Sequence, residues 1–136
     1  MSGESDLRTL LSGMRPLLRP GRYVFTTVDG GVPEGTAPVV TVTEEEGLTL
    51  VVTQEEADAA GLAYDYVAGW ITLRVHSALD AVGLTAEVSR ALAGAGLSCN
   101  VVAGFHHDHL FVPHEHAERA VEVLGELSRG AARGDD

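Results

Sequence analysis

The chain has no lysine. Its nine basic residues are all arginine, set against twenty acidic ones, for a formal net charge of −11. Without lysine there is neither a Schiff-base amine nor the lysine of a Walker phosphate loop. The surplus of acid repels phosphate backbones, so no nucleic-acid partner is expected. Cysteine is almost absent too. Cys99 stands alone and cannot close an internal disulfide, which fits a reducing, cytoplasmic setting. No apolar run is long enough to span a bilayer, and no basic stretch followed by an apolar core opens the chain. Neither a membrane partner nor a secretory signal is therefore expected. Catalytic signatures are also missing. There is no G-x-S-x-G, and Ser77 and Cys99 have no base at motif spacing. Thr26 and Thr27 precede Asp29-Gly30-Gly31, but no helix with a basic residue follows to make a phosphate loop. The expectation is a protein that is not an enzyme and carries no cofactor.

What is present is enough apolar material for a core, 45% of 136 residues. The most regular stretch runs from Trp70 to Pro113. Trp70–Ser77 alternates, with Ile71, Leu73 and Val75 to one face and Trp70, Thr72, Arg74 and His76 to the other, the period of a half-buried strand. After Gly83, the residues Leu84, Val88, Ala91, Leu92 and Ala95 form a helical stripe that Gly96 ends. Ser98–Phe105 and His109–Val112 read as strands joined by a polar turn. Pro113 opens a helix with the stripe Ala117, Ala120, Val121, Leu124 and Leu127. Strand–helix–strand–strand–helix is most of a ferredoxin-like split βαβ unit.

The earlier half reads as a helix from Leu7 to about Leu18, a strand Arg22–Val28, a glycine- and proline-rich loop Asp29–Thr36, strands Val39–Thr43 and Leu48–Thr53, and a short helix Gln54–Ala60. Residues 50–57 match residues 110–117 at constant offset, so an incomplete internal repeat is visible. The later half has no fourth strand after its last helix. A strand from the earlier half is expected to fill that edge.

The runs His76–Ala86, Leu97–Gly104 and His107–Pro113, together with Gly21–Phe25 and Glu45–Val52, resemble the small stand-alone bacterial tandem ACT-domain proteins. The resemblance spans nearly the whole chain. It implies an α+β, ferredoxin-like ACT fold. Two ACT-like halves, residues 1–65 (degenerate) and 66–136, would share a mostly antiparallel sheet with helices on one face. It also implies a regulatory protein that binds a free amino acid or similar small ligand, and pairs as a homodimer.

The candidate ligand residues are Gly83, Leu84, Thr85, Asn100 and His76. A glycine between strand and helix lets a ligand approach the backbone, and first-turn N–H groups favour a carboxylate. Asn100 is an amide in an apolar strand, to be satisfied by a neighbouring loop or by a ligand. His76 ends the strand that feeds the glycine turn. A second reading is a metal site in His106–His116, with His107 and His109 as candidate ligands, although the spacing matches no standard zinc signature. A third is an interaction scaffold without ligand. Leu92 is expected in the core. The sheet face with Trp70, Thr72 and Arg74 is expected to lie bare of helices and to favour dimerisation.

Overall fold

In a computed structural model, which describes residues 6–75 and 82–134, the chain forms two compact units. The smaller is Pro20–Ala68, and the larger joins Met1–Arg19 to Gly69–Asp136.

The smaller unit contains β2 (Tyr23–Val28), β3 (Val40–Thr43), β4 (Leu48–Thr53) and α2 (Gln54–Ala59), as well as the first two residues of β5 (Val67–Leu73). Its strand order is β3-β4-β2-β5. Tyr23–Val28 pairs antiparallel along all of β4, and Tyr23 and Val24 pair with Ala68 and Val67. Alternate residues Val24, Leu50 and Val52 turn to one face and bury Ala57 of α2. Helix α2 begins with a capping box. The Thr53 hydroxyl accepts from the Glu56 backbone N–H at 3.1 Å, and the Glu56 carboxylate accepts from the Thr53 N–H at 3.2 Å. The same carboxylate accepts the Ala37 N–H at 2.8 Å and so ties down the end of the glycine- and proline-rich loop.

The larger unit contains α1 (Leu7–Gly13), β1 (Pro16–Leu18), the rest of β5, α3 (Leu84–Gly94), β6 (Asn100–Ala103), β7 (Asp108–Pro113) and α4 (Ala117–Arg133). Its strand order is β1-β5-β7-β6. Both units therefore follow one plan, in which the first strand lies between the fourth and the third. In the smaller unit Val67–Ala68 takes the fourth position, and in the larger unit Gly69–Leu73 takes the first. The missing edge of the larger unit is filled by β1, which pairs antiparallel with Ile71–Leu73. The repeat seen in the sequence is the β4–α2 junction matched to β7–α4. Helix α3 has no counterpart in the smaller unit, where a loop joins β2 to β3.

One sequence expectation is overturned here. The helix from Leu7 to Leu18 stops at Gly13, and Pro16–Leu18 is the strand β1. Proline inside a helix removes a donor and clashes with the preceding turn, whereas at the first residue of an edge strand its missing N–H costs little. Other boundaries move less. Strand β5 starts three residues earlier and ends at Leu73. The strand read as Ser98–Phe105 is only Asn100–Ala103. A 3-10 turn, His114–His116, precedes α4, which then runs through Gly125 and Gly130 to Arg133.

The core of the larger unit lies on one face of its strands. Ile71, Leu73, Leu110 and Val112 meet Leu10 and Met14 from α1 and its end, Val88 and Leu92 from α3, and Ala120 and Leu124 from α4. Leu92 is fully buried, as its stripe requires. Helix α1 is seven residues long and is held by tertiary bonds. Its exposed-end carbonyls find a partner in Ser128 of α4, whose hydroxyl donates to Ser12 O at 3.2 Å and Met14 O at 3.1 Å. Arg8 of α1 returns the contact by donating to Ala131 O at 3.3 Å.

Candidate functional site

The turn into α3 is built as the sequence requires. Gly83 is the helix N-cap with φ +102°, a left-handed conformation that only glycine takes without strain. Glycine brings no capping side chain of its own, and among the described residues no side chain accepts from the first-turn N–H groups. Leu84 is buried and anchors the turn in the core, while Thr85 is exposed. The only acid of the first turn, Glu87, is engaged by Arg90 through both carboxylate oxygens at 2.7 and 2.8 Å. Leu7 of α1 lies beneath the glycine, where an added Cβ would come within 3.1 Å of its Cδ2. His76 lies outside the described residues.

Asn100 is not brought to this turn. It is exposed, not a buried amide seeking partners. Its strand β6 pairs with β7, and β7 lies between β6 and β5. Asn100 pairs with Phe111, whose ring stacks on Trp70 in the middle of β5, whereas the turn follows the end of β5. Helix α3 has 11 residues, which separates its two ends by roughly 16 Å.

The histidine-rich segment does not converge. Among the described residues no group of three or more His, Cys, Asp or Glu side chains could hold a metal ion. Of the two candidate ligands, His107 precedes β7, and His109 has its Nδ1 engaged by Trp70 and Thr72, so the metal reading of His106–His116 finds no convergent set of side chains. His107 Nδ1 and His116 Nδ1 are buried without hydrogen-bond partners among the described residues. Asp108 is 8% exposed, and burial pushes its carboxyl up against the opposing pull of His109 and His107. Cys99 is no nucleophile candidate either. Burial pushes its thiol up, with only a bond to Ser89 acting the other way.

His109 belongs instead to a polar cluster on the face of the larger unit opposite its core. The Trp70 indole N–H donates to His109 Nδ1 at 3.1 Å, and the Thr72 hydroxyl lies 3.1 Å from the same nitrogen. Arg19, just after β1, donates from Nε to Thr72 Oγ1 at 3.1 Å and stacks its guanidinium 4.9 Å from the Trp70 ring centre. Burial, then the charge of Arg19, then His107 hold the His109 pKa below its ordinary value. Thr72 is 1% exposed. The face expected to be bare at Trp70, Thr72 and Arg74 is thus covered in part, and only Arg74, beyond the end of β5, is exposed. Sequence reasoning missed Arg19, because the helix expected over Leu7–Leu18 gave no reason to place it beside Trp70.

The smaller unit has an open cleft of about 650 Å³, lined among others by Thr27, Glu44, Thr49, Tyr64 and Asp65. Several of its polar groups are already engaged. Thr49 donates to Glu44, and the Tyr64 hydroxyl donates to Asp58 at 2.7 Å and accepts from Gln54 at 3.1 Å.

Comparison with known proteins agrees with this architecture. Models of the ACT domain match residues 2–69 and 66–126. The chain belongs to the ACT-domain family, with two such domains in tandem, a family of regulatory rather than catalytic modules. No curated protein sequence matches it. Among solved structures it is similar to a Vibrio cholerae protein of unknown function, described as a possible transport protein. That match has 47% identity and TM-score 0.82, over 90% of this chain and 95% of that one. An Agrobacterium tumefaciens protein is 20% identical with TM-score 0.66, over 85% of this chain and 89% of its own. The ligand-free regulatory subunit of aspartate kinase from Thermus thermophilus shares the fold at 12% identity and TM-score 0.63, over 82% and 95% of the two chains. No helix among the described residues is long and apolar enough to cross a membrane.

Proposed function

We propose that this protein is a non-catalytic sensor whose ligand is a free amino acid or a similar small carboxylate, held at the Gly83–Thr85 turn. The observation that carries the reading is the N-terminus of α3, without a side-chain cap among the described residues, beside a left-handed glycine in a chain of the ACT family. A carboxylate there accepts from first-turn N–H groups and meets the positive end of the helix dipole. The long-range field of an acidic chain opposes this, but salt screens it beyond about 8–10 Å. The fold is shared with aspartate kinase regulatory subunits, which supports a role in which ligand occupancy is passed to a separate enzyme.

A thermal-shift screen of the proteinogenic amino acids tests the reading. A ligand at 100 times its dissociation constant should add about 2.7 kcal/mol of stability. A flat response across the screen at millimolar ligand would leave the scaffold reading in place.

A cytoplasmic homodimer is part of the same proposal. Strand β6 ends the strand order of its unit, and Phe105, just beyond it, is 70% exposed. A free strand edge beside an exposed aromatic favours pairing. Light scattering at micromolar concentration should give twice the chain mass, and a monomer mass would remove this part.

A further inference from the structure

We propose that Arg19 and His109, set by Trp70 and Thr72, form a carboxylate-binding site on the face of the larger unit opposite its core. This goes beyond the Gly83–Thr85 reading and does not depend on it. Every donor and acceptor in the cluster has a fixed role. The Trp70 indole can only donate, so His109 Nδ1 must accept, and the neutral ring carries its proton on Nε2. The Thr72 hydroxyl accepts from Arg19 Nε and turns its own proton to His109 Nδ1, where it shares the single lone pair with the Trp70 N–H. One hydroxyl thus holds both the guanidinium and the imidazole in place.

What remains is two sets of donors without acceptors. Arg19 spends Nε on Thr72, and its terminal nitrogens meet no carboxylate or carbonyl among the described residues. His109 Nε2 has no hydrogen-bond partner there either. Arg19 is set apart by being held in place, its Nε on Thr72 and its guanidinium over Trp70, with its terminal nitrogens still turned to no acceptor among the described residues. Arg19, His109 and Trp70 are each only half-buried, so the donors can be reached. Gly104 keeps the approach to the imidazole open, since a Cβ there would stand 3.2 Å from His109 Nε2. The depressed pKa of His109 is consistent with a neutral donor beside a cation.

The chemistry selects the ligand class. One full positive charge and one neutral N–H match a monoanion with two oxygens. The planar guanidinium suits a carboxylate. A phosphate dianion would keep a charge uncompensated in an acidic chain.

Trp70 is the single tryptophan and touches both donors, so its fluorescence reports the site. The test is a titration with acetate at constant ionic strength, with chloride and inorganic phosphate as parallel arms. Expected is a saturable change with acetate. Chloride should give none, and phosphate should bind more weakly. Arg19→Gln should weaken acetate about tenfold or more, and Arg19→Lys should recover part of the loss. His109→Phe should weaken it less than Arg19→Gln. Thr85→Glu should leave the response unchanged, which separates this site from the α3 turn. Circular dichroism of each variant confirms the fold. Dilution of wild-type protein without acetate distinguishes the source of the carboxylate. A fluorescence change on dilution that acetate reverses means an acidic side chain of a second copy, and none means a free ligand. A response that does not saturate, that chloride or phosphate reproduces, or that Arg19→Gln retains in full would overturn the proposal.

Discussion

His109 shows how a residue can be legible in type and illegible in role. Its position beside His107 invites a metal reading, but β7 turns it to a face where Trp70 and Thr72 engage its Nδ1. Its folded pKa lies below the ordinary 6.5, from burial first and then from Arg19 and His107. The unfolded chain therefore takes up the proton first as pH falls. The stability His109 contributes is complete above the unfolded pKa and drains away as pH drops through the folded one. Asp108 has the opposite sign, since its folded pKa is raised by burial. Its contribution is present below the ordinary carboxyl range and is lost as pH rises through the folded value. Between about pH 7 and pH 5, wild-type unfolding midpoints should fall more steeply than those of His109→Gln. Parallel curves would show that the histidine titrates alike in both states. Leu92 is the contrasting case, legible in both type and place because helical periodicity alone put it in the core. Leu92→Ala should cost about 2–5 kcal/mol in denaturant unfolding, and a loss under ~1 kcal/mol would mean that the site collapses around the smaller side chain.

Among the elements, those bounded by strong local signals were readable. Strand β4 is Leu48–Thr53 as its pattern indicates, and Thr53 with Glu56 marks the start of α2. Thr53→Ala should cost about 0.5–2 kcal/mol, and should speed hydrogen exchange at the Glu56 amide, whose acceptor it removes. Unchanged exchange would show that the cap bond is not made in solution. Strand β1 was not readable, because the apolar residues around Pro16 continue the helical stripe of α1, and only pairing with Ile71–Leu73 makes Pro16–Leu18 a strand. That register is a tertiary fact. Asn100 failed for a related reason. An amide among apolar neighbours reads as buried, yet β6 ends the strand order of its unit, and an edge strand leaves its start exposed.

At the scale of the whole molecule, the ACT architecture was legible because two units repeat one strand order, and residues 50–57 and 110–117 mark the equivalent junction in each. The discontinuity of the larger unit was not. That Met1–Arg19 joins Gly69–Asp136 follows from the edge that β1 fills and from the bonds between α1 and α4, none of which is local in sequence. The turn at Gly83–Thr85 remains the feature on which the functional account rests. Gly83→Val is a poor probe of it, because φ +102° strains any side chain and the new Cβ would press on Leu7. Thr85→Glu is the better one. A carboxylate at an exposed second position of α3 suits the helix dipole, so stability should hold or rise by a few tenths of a kcal/mol. The same charge repels a ligand carboxylate at that place. Calorimetry of the ligand drawn from the amino-acid screen should therefore show affinity in Thr85→Glu down about tenfold or more, with wild-type affinity kept in Asn100→Ala. Full affinity in Thr85→Glu would contradict the assignment of the ligand to the start of α3.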